Sequence, residues 1–352
     1  MCASWHTCVS GASSFRQSAG KARTSWGRFS GVDVTATKRL RLFSGRSHPD
    51  LANAIAAKLG TEVGGIQLET FADGDAYCRY TESVRGADVF LVQTAVAPVD
   101  VHLVELMMMI DAARLASAKR ITAVIPRFFY ARQDRKSAPR EPITARMVAD
   151  MIENAGADRV RTMDLHAGQV QGFFEIPVDH MTALPMFADR FREIAAGREA
   201  VVVAPATTRA KQGSWLAEML RAELAIMNDD PGTGGRGMTI LGEVKGKIAL
   251  VLENGIGSGQ WFARAADELM EMGTASVYAC ATHAASTAGA ADRLARSPLA
   301  GVLVTDTVPI HESLASARLE ILSVAGLLAD TIASVFANES VSAIFVGDNQ
   351  LF

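Results

Sequence analysis

From Leu40 onward, apolar runs of four to seven residues alternate with stretches whose apolar positions recur at helical spacing. Continuous apolar runs bounded by turn residues suit strands buried on both faces. Their alternation with helices predicts a parallel sheet covered by helices on each side, an α/β fold. The predicted strands are Leu40–Ser44, Gly65–Thr70, Ala87–Gln93, Ile121–Pro126, Val160–Asp164, Ala200–Ala204, Ala225–Asn228, Ile248–Leu252, Val277–Thr282 and Gly301–Thr305. Asp100–Ser117 and Trp261–Met272 are the clearest helices, the first with Leu103, Leu106, Met107 and Ile110 on one face. The Met107–Met109 run falls on that face and is expected to pack as core.

The theme strand, turn, helix, strand occurs twice, in Gly86–Pro126 and again in Gly246–His283, so two similar α/β domains are expected. Their boundary is placed near Ala183–Pro185, because Pro185 suits the first turn of a new helix. The organisation is then an extension over residues 1–37, one domain over 38–184 and a second over 185–352. The breaker cluster from Pro231 to Gly237 makes Asp229–Met238 an expected mobile loop.

Composition narrows the function classes. A chain of 352 residues with 49% hydrophobic and 21% charged residues has room for two cores and is ordinary for a soluble α/β protein. A formal net charge of -3 argues against a general nucleic-acid binder and directs attention to small anionic ligands. Cys2, Cys8, Cys78 and Cys280 form neither a metal spacing nor a disulfide framework, which fits a reduced compartment. No uncharged apolar run approaches the ~18 residues of a membrane span, so no membrane partner is expected. The first 32 residues hold Arg16, Lys21, Arg23 and Arg28, many Ser and Gly, and no acid. That composition fits a transit peptide or an unstructured tail; the tail, in a cytoplasmic protein, is the expectation, with organelle targeting as the alternative.

Four segments carry candidate chemistry. Phe71-Ala72-Asp73-Gly74-Asp75 puts an aromatic beside two acids, able to flank a base and accept hydrogen bonds from it or from a ribose, or simply to turn an acidic hairpin. Tyr130–Lys136 gathers Arg132, Arg135 and Lys136 after a strand end, apt for a polyphosphate or for a solvated loop. Asp164-Leu165-His166 ends a strand with a carboxylate and an imidazole, a plausible Mg²⁺-phosphate site or a structural pair. Val251–Trp261 runs from an apolar strand through a glycine-rich turn into a helix, the layout of a phosphate cradle.

Taken in order, these segments resemble the ribose-phosphate pyrophosphokinase (PRPP synthetase) family. Ser44–Pro49, the Phe71–Asp75 turn, Tyr130–Asp134, Arg140–Ile143, Asp164–His166, Gln169–Phe174, Ala281–His283 and Thr305–Thr307 stand at family positions, over roughly Lys38 to Phe352. The resemblance implies two tandem phosphoribosyltransferase-type domains, a hexamer, and transfer of the β,γ-diphosphoryl group of Mg-ATP to the 1-hydroxyl of ribose 5-phosphate. It assigns nucleotide binding to Phe71, Asp73 and Asp75 of one subunit with Arg132, Gln133 and Asp134 of its neighbour, and a metal-side role to His166. It assigns a regulatory ADP site to Ser44, Arg46, Ser47, His48, Arg135 and Lys136.

The second half departs from the family pattern where the chemistry lies. Ala206 replaces an aspartate that helps hold magnesium, leaving Arg209 and Lys211 as nearby cations. Asp229 and Pro231 stand where a catalytic lysine and arginine belong, and cations there are central to phosphoryl transfer. The ribose-phosphate loop reads Glu253, Asn254, Gly255, Ile256, Gly257, Ser258, Gly259, Gln260, Trp261, with one acid, a serine able to touch phosphate, and an indole expected to fill the pocket. These departures predict a chain that binds ATP or ADP, with magnesium arriving mainly on the nucleotide, but is catalytically impaired. It would act as a regulatory or structural subunit, in a homo-oligomer or mixed with an active paralogue. The alternative is an active ribose-phosphate diphosphokinase, or a diphosphotransferase using another acceptor.

Overall fold

A computed structural model describes residues 39–205, 209–229, 238–312, 314 and 318–340. The expected N-terminal extension, Ala206, the Pro231–Gly237 cluster and the side chain of Asp229 lie outside what it describes.

The first half builds a five-stranded, wholly parallel sheet in the order β1 (Leu40–Ser44), β4 (Asp88–Val92), β5 (Arg120–Ile125), β6 (Arg159–Met163), β7 (Val178–Met181). A separate antiparallel hairpin, β2 (Ile66–Thr70) with β3 (Ala76–Tyr80), stands beside it. The second half builds a seven-stranded sheet from β8 (Ala200–Pro205), β9 (Glu223–Asp229), β10 (Met238–Leu241), β11 (Ile248–Gly257), β12 (Ser276–Ser286), β13 (Leu299–Thr305) and β14 (Leu319–Leu322). Its order is β10-β9-β8-β11-β12-β13-β14, parallel except for the β9/β10 edge pair. The expected α/β architecture, two mainly parallel sheets flanked by helices, is therefore present.

Side chains on alternate faces of each strand enter different cores, as the two-residue period requires. Leu42, Phe90, Val124 and Met163 of the first sheet face Val202, Leu250, Cys280 and Leu303 of the second across one central cluster. Between them lie the helices α1 (Pro49–Leu59), α4 (Leu184–Ala195), α5 (Ala210–Leu220) and α8 (Ala325–Ala337). The opposite faces pack on α2 (Val99–Leu115) and α3 (Thr144–Ala155) in the first half. In the second half they pack on α6 (Gln260–Glu271) and α7 (Ala290–Arg296). The expected division at residues 184/185 falls at the start of α4, inside the central core that residues on both sides build together.

Four strands escaped the hydrophobic pattern: Ala76–Tyr80, Val178–Met181, Met238–Leu241 and Leu319–Leu322. All are short, and each lies at a sheet edge or in the hairpin, so burial imposes a weaker apolar pattern. The glycine-rich turn also needs correction. The strand expected to stop at Leu252 continues through Glu253 to Gly257, because β11 keeps pairing with β12, Gly255 to His283 and Gly257 to Ser286, across a bulge. Only Ser258 and Gly259 turn the chain into α6; Gly257 and Gly259 have φ of 58° and 70°, a region costly for any side chain there.

Candidate functional site

Parallel sheets place their ligand sites at the carboxyl ends of the strands. Here those ends from both sheets meet along one seam. Thr94, just past β4, donates its hydroxyl to the carbonyl of Thr307, past β13, at 2.8 Å. His48, past β1, donates Nε2–H to the carbonyl of Asp306 at 2.8 Å.

Asp164 is the hub of the seam. It follows β6 with a φ of 36°, and its carboxylate accepts from the Thr182 hydroxyl at 2.7 Å, the Ala183 N–H at 2.9 Å and the Thr282 hydroxyl of the other sheet at 2.6 Å. Its carbonyl accepts from Asn254 Nδ2, again across the seam. That carboxylate is committed to holding the sheets together. The expectation of a Mg²⁺-phosphate role for the Asp164–His166 pair therefore rests on His166 alone.

Over the hub opens a cleft of about 320 Å³ lined by Arg127, Tyr130, Arg132, Gln133, Asp164, His166, Asn254, Gly255 and His283, with Ala95, Val99, Phe128, Ala131 and Ala285 as its apolar wall. Arg127 follows β5, and burial together with Arg132 lowers its basicity. His166 is also held below the usual imidazole range, first by burial and then by the cations Arg209 and Arg132. Buried His283 is pushed down to about 3, mainly by burial and then by Arg127, and its Nδ1 lies 2.9 Å from the Thr307 hydroxyl. Guanidinium groups and neutral imidazoles in one cleft favour an anion with hydrogen-bonding oxygens, such as a phosphate ester.

The other predicted site residues divide by place. Asp134 is buried and accepts from Gln169 Nε2 at 2.7 Å, so it holds the loop that presents Arg132 and Gln133; Arg135 and Lys136 are exposed. Phe71, Asp73 and Asp75 form the tip of the β2/β3 hairpin, with Phe71 half exposed against Tyr77 and the Phe71 N–H bonded to the Asp75 carbonyl at 2.8 Å. The hairpin tip lines no part of this cleft; within one chain the structure does not bring the two groups of nucleotide residues together.

In the Ser44–His48 turn the polar groups have partners within the chain. The Arg46 N–H donates to buried Glu105 at 2.7 Å, and its guanidinium bonds Glu105 and the Thr70 hydroxyl. The Ser47 N–H donates to Gln93 Oε1 at 3.1 Å, and the Ser47 hydroxyl accepts from the Thr94 N–H at 2.8 Å. Ser44 donates its hydroxyl to the Gly45 carbonyl. A Cβ on Gly45 would lie 2.2 Å from Gln93 Oε1, so this approach needs a glycine.

On the other side, Glu253 accepts from the Asn254 N–H at 2.7 Å and faces Arg209 Nε at 3.8 Å. Ser258 Oγ accepts from the Gln260 N–H at 3.3 Å, just before α6. Trp261, expected to fill the ribose-phosphate pocket, is not among the residues that line this cleft. Its indole packs on the outer core beside α6, because the prolonged strand carries the turn beyond the cleft. Arg127 and the Glu105–Gln93 pair were missed from sequence; a cation directly after the Ile121–Pro126 run was the available signal for the first.

Among the described residues, no group of three or more His, Cys, Asp or Glu side chains could hold a metal ion. A divalent cation held by protein alone does not fit here, since His166 faces a guanidinium and the Asp164 carboxylate is spent. No helix among the described residues is long and apolar enough to cross a membrane.

Fold and cleft together define a protein of two phosphoribosyltransferase-type sheets meeting at a cation-rich seam. The profile described as the N-terminal domain of ribose phosphate pyrophosphokinase matches residues 40–156, and that of the phosphoribosyl synthetase-associated domain matches residues 231–346. The chain is 43% identical over 311 residues to the ribose-phosphate pyrophosphokinase of Caldanaerobacter subterraneus subsp. tengcongensis, covering 88% of this chain and 98% of that protein. It is 42% identical to the Fusobacterium nucleatum protein of the same name, covering 87% and 98%. The crystal structure of phosphoribosylpyrophosphate synthetase from Mycobacterium smegmatis superposes with a TM-score of 0.81 at 41% identity, covering 86% of this chain and all of that one (100%). The chain belongs to the ribose-phosphate pyrophosphokinase family.

Proposed function

We propose that this chain is a ribose-phosphate diphosphokinase that transfers the β,γ-diphosphoryl group of ATP to the 1-hydroxyl of ribose 5-phosphate, at a reduced rate. The observation that carries this is the cleft at the carboxyl ends of both sheets, where Arg127, Arg132 and His166 converge above Asp164. Identity of 41–43% over nearly the whole length of proteins named for this reaction supports the active alternative over the silent subunit expected from the departures. In the transfer the ribose oxygen bonds to Pβ, the bond from Pβ to the α-phosphate oxygen breaks, AMP leaves, and the hydroxyl proton passes to solvent. The cleft arginines hold and orient the phosphates; magnesium carried by the nucleotide would supply further neutralisation of phosphate charge.

Residues 38–184 serve the nucleotide and 185–352 the ribose phosphate. Phe71, Asp73 and Asp75 act on the nucleotide of a neighbouring subunit's cleft, which the family's hexamer would supply. Arg135 and Lys136 with the Ser44–His48 turn form the ADP-responsive surface.

A second reading, a nucleotide-binding subunit without turnover, is favoured by Asp229, Pro231 and Asn254 at positions of chemistry. The experiment that separates them is AMP release from Mg-ATP with and without ribose 5-phosphate, monitoring 5-phosphoribosyl 1-diphosphate directly. Release dependent on ribose 5-phosphate is expected, about 10³-fold or more below a relative that keeps the loop lysine and arginine. No product from a folded preparation that still binds ATP would leave the second reading standing.

A further inference from the structure

The corner where His166, Arg209 and Glu253 meet carries a consequence of its own. Arg209 immediately precedes α5, and its side chain is only 8% exposed. Its Nη1 donates to Gln212 Oε1 at 3.0 Å, its Nη2 lies 3.5 Å from His166 Nδ1, and its Nε lies 3.8 Å from Glu253 Oε1. The guanidinium thus sits between an imidazole past β6 and a carboxylate on β11, donors of the kind a divalent cation takes. A guanidinium carries five N–H donors, and the bonds to Gln212 and His166 occupy two.

A metal ion reaching both His166 and Glu253 would lie against that fixed positive charge. Of the neighbouring acids, Asp164 has its oxygens taken by Thr182, Ala183 and Thr282, and Asp134 has one oxygen engaged by Gln169. Burial first, and then Arg209, hold the His166 imidazole below its usual range.

We propose that Arg209, in the small hollow that adjoins the cleft behind His166 and Asn254, is a built-in cation standing in place of a protein-held divalent metal and donating to an oxygen of the entering diphosphate group. The proposal rests on the assigned reaction only in requiring that a polyphosphate enters the cleft. At the protein end, binding of that group needs no metal.

The test uses the full chain with two probes, manganese alone and inorganic diphosphate. Titration followed by the spectrum of free Mn²⁺ should show no stoichiometric uptake by the unmodified protein. Calorimetry should detect diphosphate binding in EDTA as well as in magnesium. Arg209→Gln should weaken the metal-free binding about tenfold or more, and Arg209→Lys by less. Stoichiometric manganese uptake that His166→Ala abolishes, or diphosphate binding that requires magnesium, would overturn the proposal while leaving the assigned reaction in place. Failure of ATP and diphosphate to bind under either condition would overturn both. The unmodified chain alone supplies the manganese titration and the EDTA comparison, so stoichiometric uptake or magnesium-dependent diphosphate binding there overturns the proposal whether or not the variants fold.

Discussion

The two sheets end at the same seam but commit their polar residues differently. Past the strands of the first sheet, charges close on each other: Glu105 takes Arg46 and Gln93, and Asp164 takes donors from its own half and from the other. Past the strands of the second, hydroxyls and an amide do the bonding. Thr282 and Asn254 reach Asp164, the Thr305 hydroxyl bonds the Thr282 carbonyl at 2.5 Å, and Thr307 meets His283. The seam acids Glu105 and Asp164 of the first half are consumed in holding shape; in the second half Glu253 faces Arg209, and Asp306 accepts from the Val324 N–H at 2.7 Å. The arginines therefore set the sign of the cleft in a chain whose net charge is -3.

The largest test of this contrast is Asp164→Ala, which strips a buried carboxylate from three donors. It should cost about 3–5 kcal/mol in urea unfolding, while Thr282→Val, removing only the cross-seam donor, should cost about 1–2 kcal/mol. Equal losses would show that the hub acts only across the seam.

Acid should come next. His283 sits at about 3 in the folded chain against about 6.5 unfolded, and buried His180 is lowered in the same direction, chiefly by burial. Below pH 6.5 the unfolded chain takes up protons that the folded chain refuses. Stability should thus fall by about 1.4 kcal/mol per pH unit for each group as pH drops toward the folded value, and level off above 6.5. Melting followed from pH 7 to 5 should show this slope, and His283→Gln should flatten it; a parallel curve for the variant would remove His283 as its source.

Asn254→Asp sharpens the comparison from the second half. A carboxylate there loses the donor to the Asp164 carbonyl and sets two acceptors against each other, so the variant should lose about 1–2 kcal/mol in thermal unfolding. Unchanged stability would mean the amide bond across the seam contributes nothing.

The smallest effect is expected away from the seam, at Arg161, fully buried in β6. It lies 3.0 Å from Asp179, which keeps a second partner in Arg159 at 2.6 Å. Burial lowers its basicity to about 10. Replacing such a pair by apolar bulk is often neutral or stabilising, so Arg161→Met should raise stability by about 1 kcal/mol. A loss above that size in chemical unfolding would make this buried ion pair a net contributor.

Much of this was legible in the residues. Strands buried on both faces, such as Asp88–Val92, read directly as apolar runs, because every side chain meets a core. Edge strands such as Val178–Met181 meet one neighbour and half a core, so their signal was weak. The candidate segments were visible because chemistry clusters after strand ends, but partnership was not. Asp164 and His166 looked alike as ligands, yet one is saturated by hydrogen bonds and the other faces the cleft.

What the sequence determined by itself was the α/β alternation and the family, since periodicity and local motifs are set by residues near one another in the chain. Tertiary structure decided which acids are spent, where the glycine-rich strand stops, and that Arg209 stands between His166 and Glu253. Those outcomes depend on distances between groups up to 118 positions apart, as from Asp164 to Thr282, which only the packing of the two sheets brings within hydrogen-bond reach.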